Sequence, residues 1–216
     1  MPVTGSGVYS VVWAGLSAKL PSVLNAKKDA FNPTERILKY CCNAWVNVLT
    51  ATPVSNTYTG VAAGTAIAPG TPIFFPSAVT GGAQLISTLG WTGQYGPIVA
   101  NALTTDIAMA TATQAVYQSI PCPGGGLGTG FILPNNQAPL ISTAGLFLSQ
   151  LATQFNSEGL FNVNGGFTPQ IVNLMSALSG VYATMYSSMT TTVPIAFAGP
   201  VSTVPLVIPI VPGNIV

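Results

Sequence analysis

Histidine is absent from this 216-residue chain, and charged residues make up only 4% of it. All five lysines and arginines lie between residues 19 and 39, and beyond residue 39 only Asp106 and Glu158 carry a formal charge. An ordinary soluble domain is about 25% charged, which keeps its surface hydrated and hinders association. We therefore expect other protein, rather than water, to cover most of this surface.

The same scarcity removes the usual groups of an enzyme active site. General acid–base catalysis commonly uses a histidine or a pair of carboxylates, and Asp106 and Glu158 lie on different predicted elements. Cys41, Cys42 and Cys122, without any histidine, make a poor zinc ligand set and lack an evident base to activate a thiol. We predict no catalytic, cofactor-binding or metal-binding residues and no cofactor, so the chain is not expected to be an enzyme.

Signals for phosphate and nucleic-acid binding are also missing. Residues 124–130 are glycine-rich, but a phosphate-binding loop needs a lysine and a following helix, and no lysine follows. The basic cluster at residues 19–39 is interrupted by Asp29 and Glu35, and the net charge is only +1. Direct contact with nucleic acid is therefore not expected.

No uninterrupted apolar run is long enough to span a membrane. The most apolar segment, residues 193–216, contains five prolines, which exclude a helix. The first ten residues have neither the basic region nor the apolar region of a cleaved signal. The odd number of cysteines argues against a disulfide framework, so we predict buried, reduced thiols and assembly in a reducing cytosol.

What the chain does contain is helical periodicity, which predicts a mainly α fold built from helix pairs. The predicted helices cover residues 9–25, about 32–52, 83–89, 97–120, 144–155 and 168–189. Prolines and glycines separate them, and extended Pro/Gly-rich loops follow the helix pairs. We predict a helical body at residues 1–192 and an extended, proline-rich C-terminal arm at residues 193–216.

The helix pairs suggest three rounds of similar organisation, at residues 1–76, 77–134 and 135–209. Each round closes with three large apolar residues and a proline, at residues 73–76, 131–134 and 206–209. Such short, proline-bound segments are not expected to be central strands, but edge strands or extended segments. Two interpretations stay open: a degenerate threefold helix–loop–helix repeat, or chance periodicity in an Ala/Pro/Gly-rich helical protein.

The remaining polar residues are mostly Thr, Ser, Asn and Gln, which are buried at lower cost than charges when they find hydrogen-bond partners. Together with the loops at residues 53–72 and 121–130 and the proline-rich tail, this composition resembles that of small structural proteins of tailed-phage virions. The resemblance implies a virion subunit that is assembled in the host cytoplasm and acts as a tail, baseplate or neck adaptor. Its implied partners are other virion structural proteins and further copies of itself, and the arm is expected to dock on another chain or on the body.

An alternative function is that of a secreted or membrane-associated bacterial interaction protein. In that hypothesis, apolar helix stripes such as the one between Ile171 and Met185 bind a partner. It predicts that the isolated chain partitions to membranes or to the medium.

Overall fold

The computed structural model describes residues 2–20, 33–51, 58–60, 65–67, 71–119, 128–130, 140–159, 161–192, 195–198, 206–208 and 213–216. Helices account for most of these residues, so the fold is mainly α, as the sequence predicts. None of the described helices is both long and apolar enough to cross a bilayer.

Six helices are described, and we number them α1 to α6. They are α1 (Gly5–Lys19), α2 (Pro33–Ala51), α3 (Ala78–Leu89), α4 (residues 96–112), α5 (Leu140–Asn156) and α6 (Pro169–Ser187). Helix α4 consists of α-helical Gly96–Asn101, a π-helical turn at Ala102–Asp106 and α-helical Ile107–Ala112.

Local sequence explains several helix ends. The Thr4 side chain accepts a hydrogen bond from the Gly7 amide (3.1 Å) and begins α1. Thr168 does the same for the Ile171 amide (3.4 Å), and the proline that follows it is favourable in a first turn. Gly90 ends α3 in the left-handed conformation (φ 67°), which glycine adopts without a Cβ penalty.

The predicted helix at residues 97–120 is too long. Helix α4 ends at Ala112, and Val116–Ser119 forms a strand instead. Valine and tyrosine favour strands, and the segment finds partners on both sides that periodicity could not reveal. Residues 21–25 of the first predicted helix and the closing segment at 131–134 lie outside the described residues.

Short strands form four small antiparallel sheets within the described part of the chain. The strands are β1 (Tyr58–Gly60), β2 (Thr65–Ile67), β3 (Thr71–Phe74), β4 (Val116–Ser119), β5 (Gly128–Gly130), β6 (Asn162–Val163), β7 (Gly166–Phe167), β8 (Thr190–Thr191), β9 (Ile195–Ala198), β10 (Leu206–Ile208) and β11 (Gly213–Ile215). The sheet orders are β11-β4-β3-β8, β2-β9-β5, β1-β10 and β6-β7.

Ile73 and Phe74, the paired residues of the closing segment at residues 73–76, pair with one described strand, β8, as expected of an edge segment. Strand β3 pairs with β4 through Thr71 and Pro72, and with β8 through Ile73 and Phe74. Because the strand changes partner after Pro72, the missing proline N–H does not interrupt a continuous ladder. The Pro72 carbonyl still accepts a hydrogen bond from the Thr192 amide (3.0 Å).

The described residues of segment 193–216 pair with strands from earlier in the chain. Strand β9 lies between β2 and β5, β10 pairs with β1, and β11 pairs with β4. Of the two docking partners that the sequence leaves open, another chain or the body, these strands use the body.

The core is centred on α2, which packs against α1 on one side and α5 on the other, while α6 packs against α5 and α3. Trp45 of α2 is fully buried, and its ring lies 5.2–5.4 Å from the rings of Phe75, Phe147 and Tyr182. Its indole N–H donates to the Thr111 hydroxyl (3.0 Å), so the one polar group of this side chain is satisfied.

Candidate assembly surface

The described charged residues lie mostly on or beside α1 and α2. Six of the nine charged residues are described, and five of these lie on α1 or α2 or bind to them: Lys19, Glu35, Arg36, Lys39 and Glu158. The sixth, Asp106, lines a groove with Lys19. Helices α3, α5 and α6 contain no charged residue at all.

The charges near the start of α2 connect α2 to neighbouring parts of the chain. Arg36 forms an ion pair with Glu158, which follows α5. The Tyr9 hydroxyl of α1 donates to the Glu35 carboxylate (2.6 Å), and burial together with this carboxylate raises the pKa of Tyr9. These contacts tie α1 and the end of α5 to the first turns of α2.

The two carboxylates considered as a possible catalytic pair have different surroundings. Asp106 is half-buried in the groove between α1 and α4, whereas the exposed Glu158 is bound to Arg36. The α1–α4 groove has a volume of about 340 Å³, and Val11 and Met109 add exposed apolar surface to it. Among the described residues, no group of three or more His, Cys, Asp or Glu side chains is placed to hold a metal ion.

The described cysteines are buried thiols, as predicted. Cys41 and Cys42 are free and fully buried in α2. Burial raises the pKa of Cys41 to about 12 and that of Cys42 well above its ordinary value. A thiol held neutral in this way is a poor nucleophile and a poor metal ligand. Cys122 lies outside the described residues.

A groove with a volume of about 760 Å³ lies between the uncharged helices α3 and α6. Its lining includes Gln84 and Thr88 from α3 and Asn173, Ser176, Gly180 and Thr184 from α6. On α6 these residues follow helical spacing on the outer face, opposite the buried side chains of the same helix.

Part of this lining already has its hydrogen bonds within the chain. Thr88 donates to the Gln84 carbonyl (2.9 Å), and Thr184 donates to the Gly180 carbonyl (3.0 Å). Another protein could therefore cover these two hydroxyls without leaving a donor unpaired. Exposed apolar side chains on the three uncharged helices α3, α5 and α6 add to the uncharged surface: Val79, Leu146, Leu148 and Val172.

The apolar stripe of α6, by contrast, is not available to a partner helix. Ile171, Leu174, Leu178 and Met185 are all buried against the rest of the chain. The sequence showed this stripe but not the groove, because the groove depends on which helix lies beside α6. The small polar residues at 173, 176, 180 and 184 were the available signal for its outer face.

Comparison of the chain with known protein families, with curated proteins and with solved structures finds no match.

Proposed function

We propose that this protein is a structural subunit whose uncharged helices α3, α5 and α6 are covered by other protein chains. The observation that carries the proposal is the segregation of charge: these three helices contain no charged residue and expose only polar and apolar side chains. The described charges lie on α1 and α2, on residues that contact them, or in the α1–α4 groove.

The energetics of burial support this role. Removing a charge from water costs several kcal/mol unless the charge is paired, whereas a hydroxyl or amide with a hydrogen-bond partner is buried at modest cost. A surface of Thr, Ser, Asn, Gln, Gly and apolar side chains is therefore suited to a stable interface. The groove between α3 and α6 provides the concave part of such a surface.

We further propose that the assembly is a tailed-phage virion, in which the chain is a tail, baseplate or neck subunit formed in the host cytoplasm. Support for this narrower proposal comes from composition: scarce charge, Thr/Ala/Gly-rich and Pro/Gly-rich segments, and a proline-rich end of the sequence. Its partners would be other virion structural proteins and further copies of the chain.

Size-exclusion chromatography with light scattering on the isolated chain tests the general proposal. A defined oligomer, or a stable complex with a co-expressed virion protein, supports the assembly role. A well-behaved monomer that remains soluble at high concentration and takes up no co-expressed partner contradicts it.

The virion proposal has a separate test. Quantitative mass spectrometry of purified particles should find the protein at a fixed stoichiometric copy number. Its absence from intact particles would contradict the virion assignment while leaving the assembly role itself open to the first experiment. Partition of the chain to membranes or medium would instead favour the secreted or membrane-associated alternative.

A further inference from the structure

An apolar cavity of about 220 Å³ lies between α1, α2, α4 and α6, apart from the α3–α6 groove. One leucine from each helix lines it: Leu16, Leu38, Leu103 and Leu174. Each of these side chains is at most 5% exposed. Protein interiors are close-packed and rarely leave voids larger than a water molecule, so a space of this size needs an explanation.

The outer part of the cavity is lined by half-buried side chains. Trp91, in the connection between α3 and α4, lines it together with Ile37 and Val99. Thr34 adds one hydroxyl, so the described lining combines a mostly apolar wall with a single polar side chain. This is the usual composition of a small-molecule pocket, although the volume is below the common range of about 300–1,000 Å³.

The π-helical turn of α4 contributes directly to the cavity wall. Leu103 lies inside this turn, and its carbonyl accepts a hydrogen bond from the buried Tyr182 hydroxyl (2.7 Å). A π-helical turn disturbs the regular pairing of helix carbonyls, and such turns occur frequently at functional sites. Here the turn brings an irregular backbone segment, stabilised by Tyr182, to the edge of an apolar space.

We propose that this cavity is a binding site for a small, uncharged apolar molecule about the size of one six-membered ring. An apolar cavity of about 150 Å³ is sufficient to hold benzene, and this one is larger. A charged ligand is excluded because the described lining has no ion to compensate its desolvation. The site is independent of the proposed assembly role and would be present in an isolated or an assembled chain.

The test uses toluene as the probe and fluorine NMR of the full chain labelled with 5-fluorotryptophan. The chain has three tryptophans, and only Trp91 lines the cavity among the described residues. Toluene should shift the Trp91 resonance in a saturable manner and leave those of Trp13 and Trp45 in place. Benzoate, the charged analogue, should leave all three resonances unchanged.

A matched pair of substitutions separates cavity binding from general hydrophobic adsorption. Val99→Phe places a larger side chain at the cavity and should abolish the saturable shift. Val172→Phe makes the same change at an exposed position of α6 and should retain it. If the Trp13 and Trp45 resonances show that Val99→Phe does not fold, Leu174→Phe replaces it.

The proposal is overturned if toluene produces no saturable shift of Trp91 up to its solubility limit. Equal, non-saturating shifts of all three tryptophans would also overturn it, since they indicate adsorption to the surface. A folded Val99→Phe variant with unchanged toluene binding would show that the probe binds elsewhere.

Discussion

At the scale of single residues, burial rather than a charged neighbour is the main cause of the shifted pKa values in the core. Burial raises the pKa of Cys41 and of Tyr117 to about 12, and it also raises those of Cys42 and Tyr182. All four groups therefore hold their protons more tightly in the folded chain than in the unfolded one. The folded chain is correspondingly stabilised while these groups remain protonated.

This predicts a loss of stability at alkaline pH. Below about pH 9 the Cys41 thiol is protonated in both states, so its contribution is fully present. Between about pH 9 and pH 12 the unfolded chain releases the Cys41 proton and the folded chain does not, which lowers the free energy of unfolding by roughly 1 kcal/mol per pH unit.

Urea unfolding followed by tryptophan fluorescence should show that the free energy of unfolding decreases above about pH 9. It should change little between about pH 5 and pH 8, because histidine titrates in that range and the chain has none. Cys41→Ala should reduce the alkaline slope even if it lowers stability at neutral pH. Stability that rises from pH 9 upward would contradict the burial of these groups.

Also at the residue scale, Gly5 of α1 lies directly against Asn43 of α2. A Cβ atom there would lie 2.8 Å from the Asn43 Cα, whereas one at Gly15 of the same helix meets nothing within 4 Å. Gly5→Ala should therefore lower the free energy of unfolding by about 1–3 kcal/mol. Gly15→Ala should raise it by about 0.5–1 kcal/mol, because alanine favours a helix.

Chemical denaturation of both glycine variants measures the difference. If Gly5→Ala were as stable as Gly15→Ala, the two helices would not be in the close contact that the structure describes.

At the scale of elements, the π-helical turn of α4 is hydrogen-bonded to a residue 79 positions away in sequence. Tyr182 of α6 donates to the Leu103 carbonyl inside the turn, and both groups are buried. Tyr182→Phe leaves this carbonyl without that donor, at an expected cost of about 1–3 kcal/mol in the free energy of unfolding.

Tyr95→Phe is the control for this substitution. Tyr95 is half-buried, and the structure describes no hydrogen bond from its hydroxyl to another described residue. Its replacement should change stability by less than about 0.5 kcal/mol. Equal thermal and urea stability of Tyr182→Phe and wild type would show that the turn does not need this donor.

At the scale of the whole molecule, the uncharged side and the charged side should respond differently to an added charge. Ser176→Glu places a carboxylate on the outer face of α6 in the α3–α6 groove. Ser10→Glu places one at an exposed position of α1. If α6 is covered in the assembly, Ser176→Glu should weaken association at least tenfold, equivalent to about 1.4 kcal/mol.

Light scattering across a dilution series compares the two variants with wild type, and circular dichroism confirms that both remain folded. Ser10→Glu should assemble like wild type. Equal assembly of both variants would place the interface elsewhere on the chain.

Sequence alone identified the mainly α fold and most of its helices, because helix formation depends on residues three and four positions apart and on local caps such as Thr168. It also showed that charge is confined to residues 19–39 apart from Asp106 and Glu158. What it could not show was the strand at Val116–Ser119, since a strand is stabilised by distant partners, here β3 and β11.

Only the tertiary structure decided which surfaces these helices leave open. The α3–α6 groove combines residues about 85–100 positions apart, and the apolar cavity needs one leucine from each of four helices. No local pattern marks either of them, because both are spaces between elements rather than properties of one element. The composition thus determined that the surface carries few charges. Long-range packing of the helices decided where that surface forms a groove and where the interior contains a cavity.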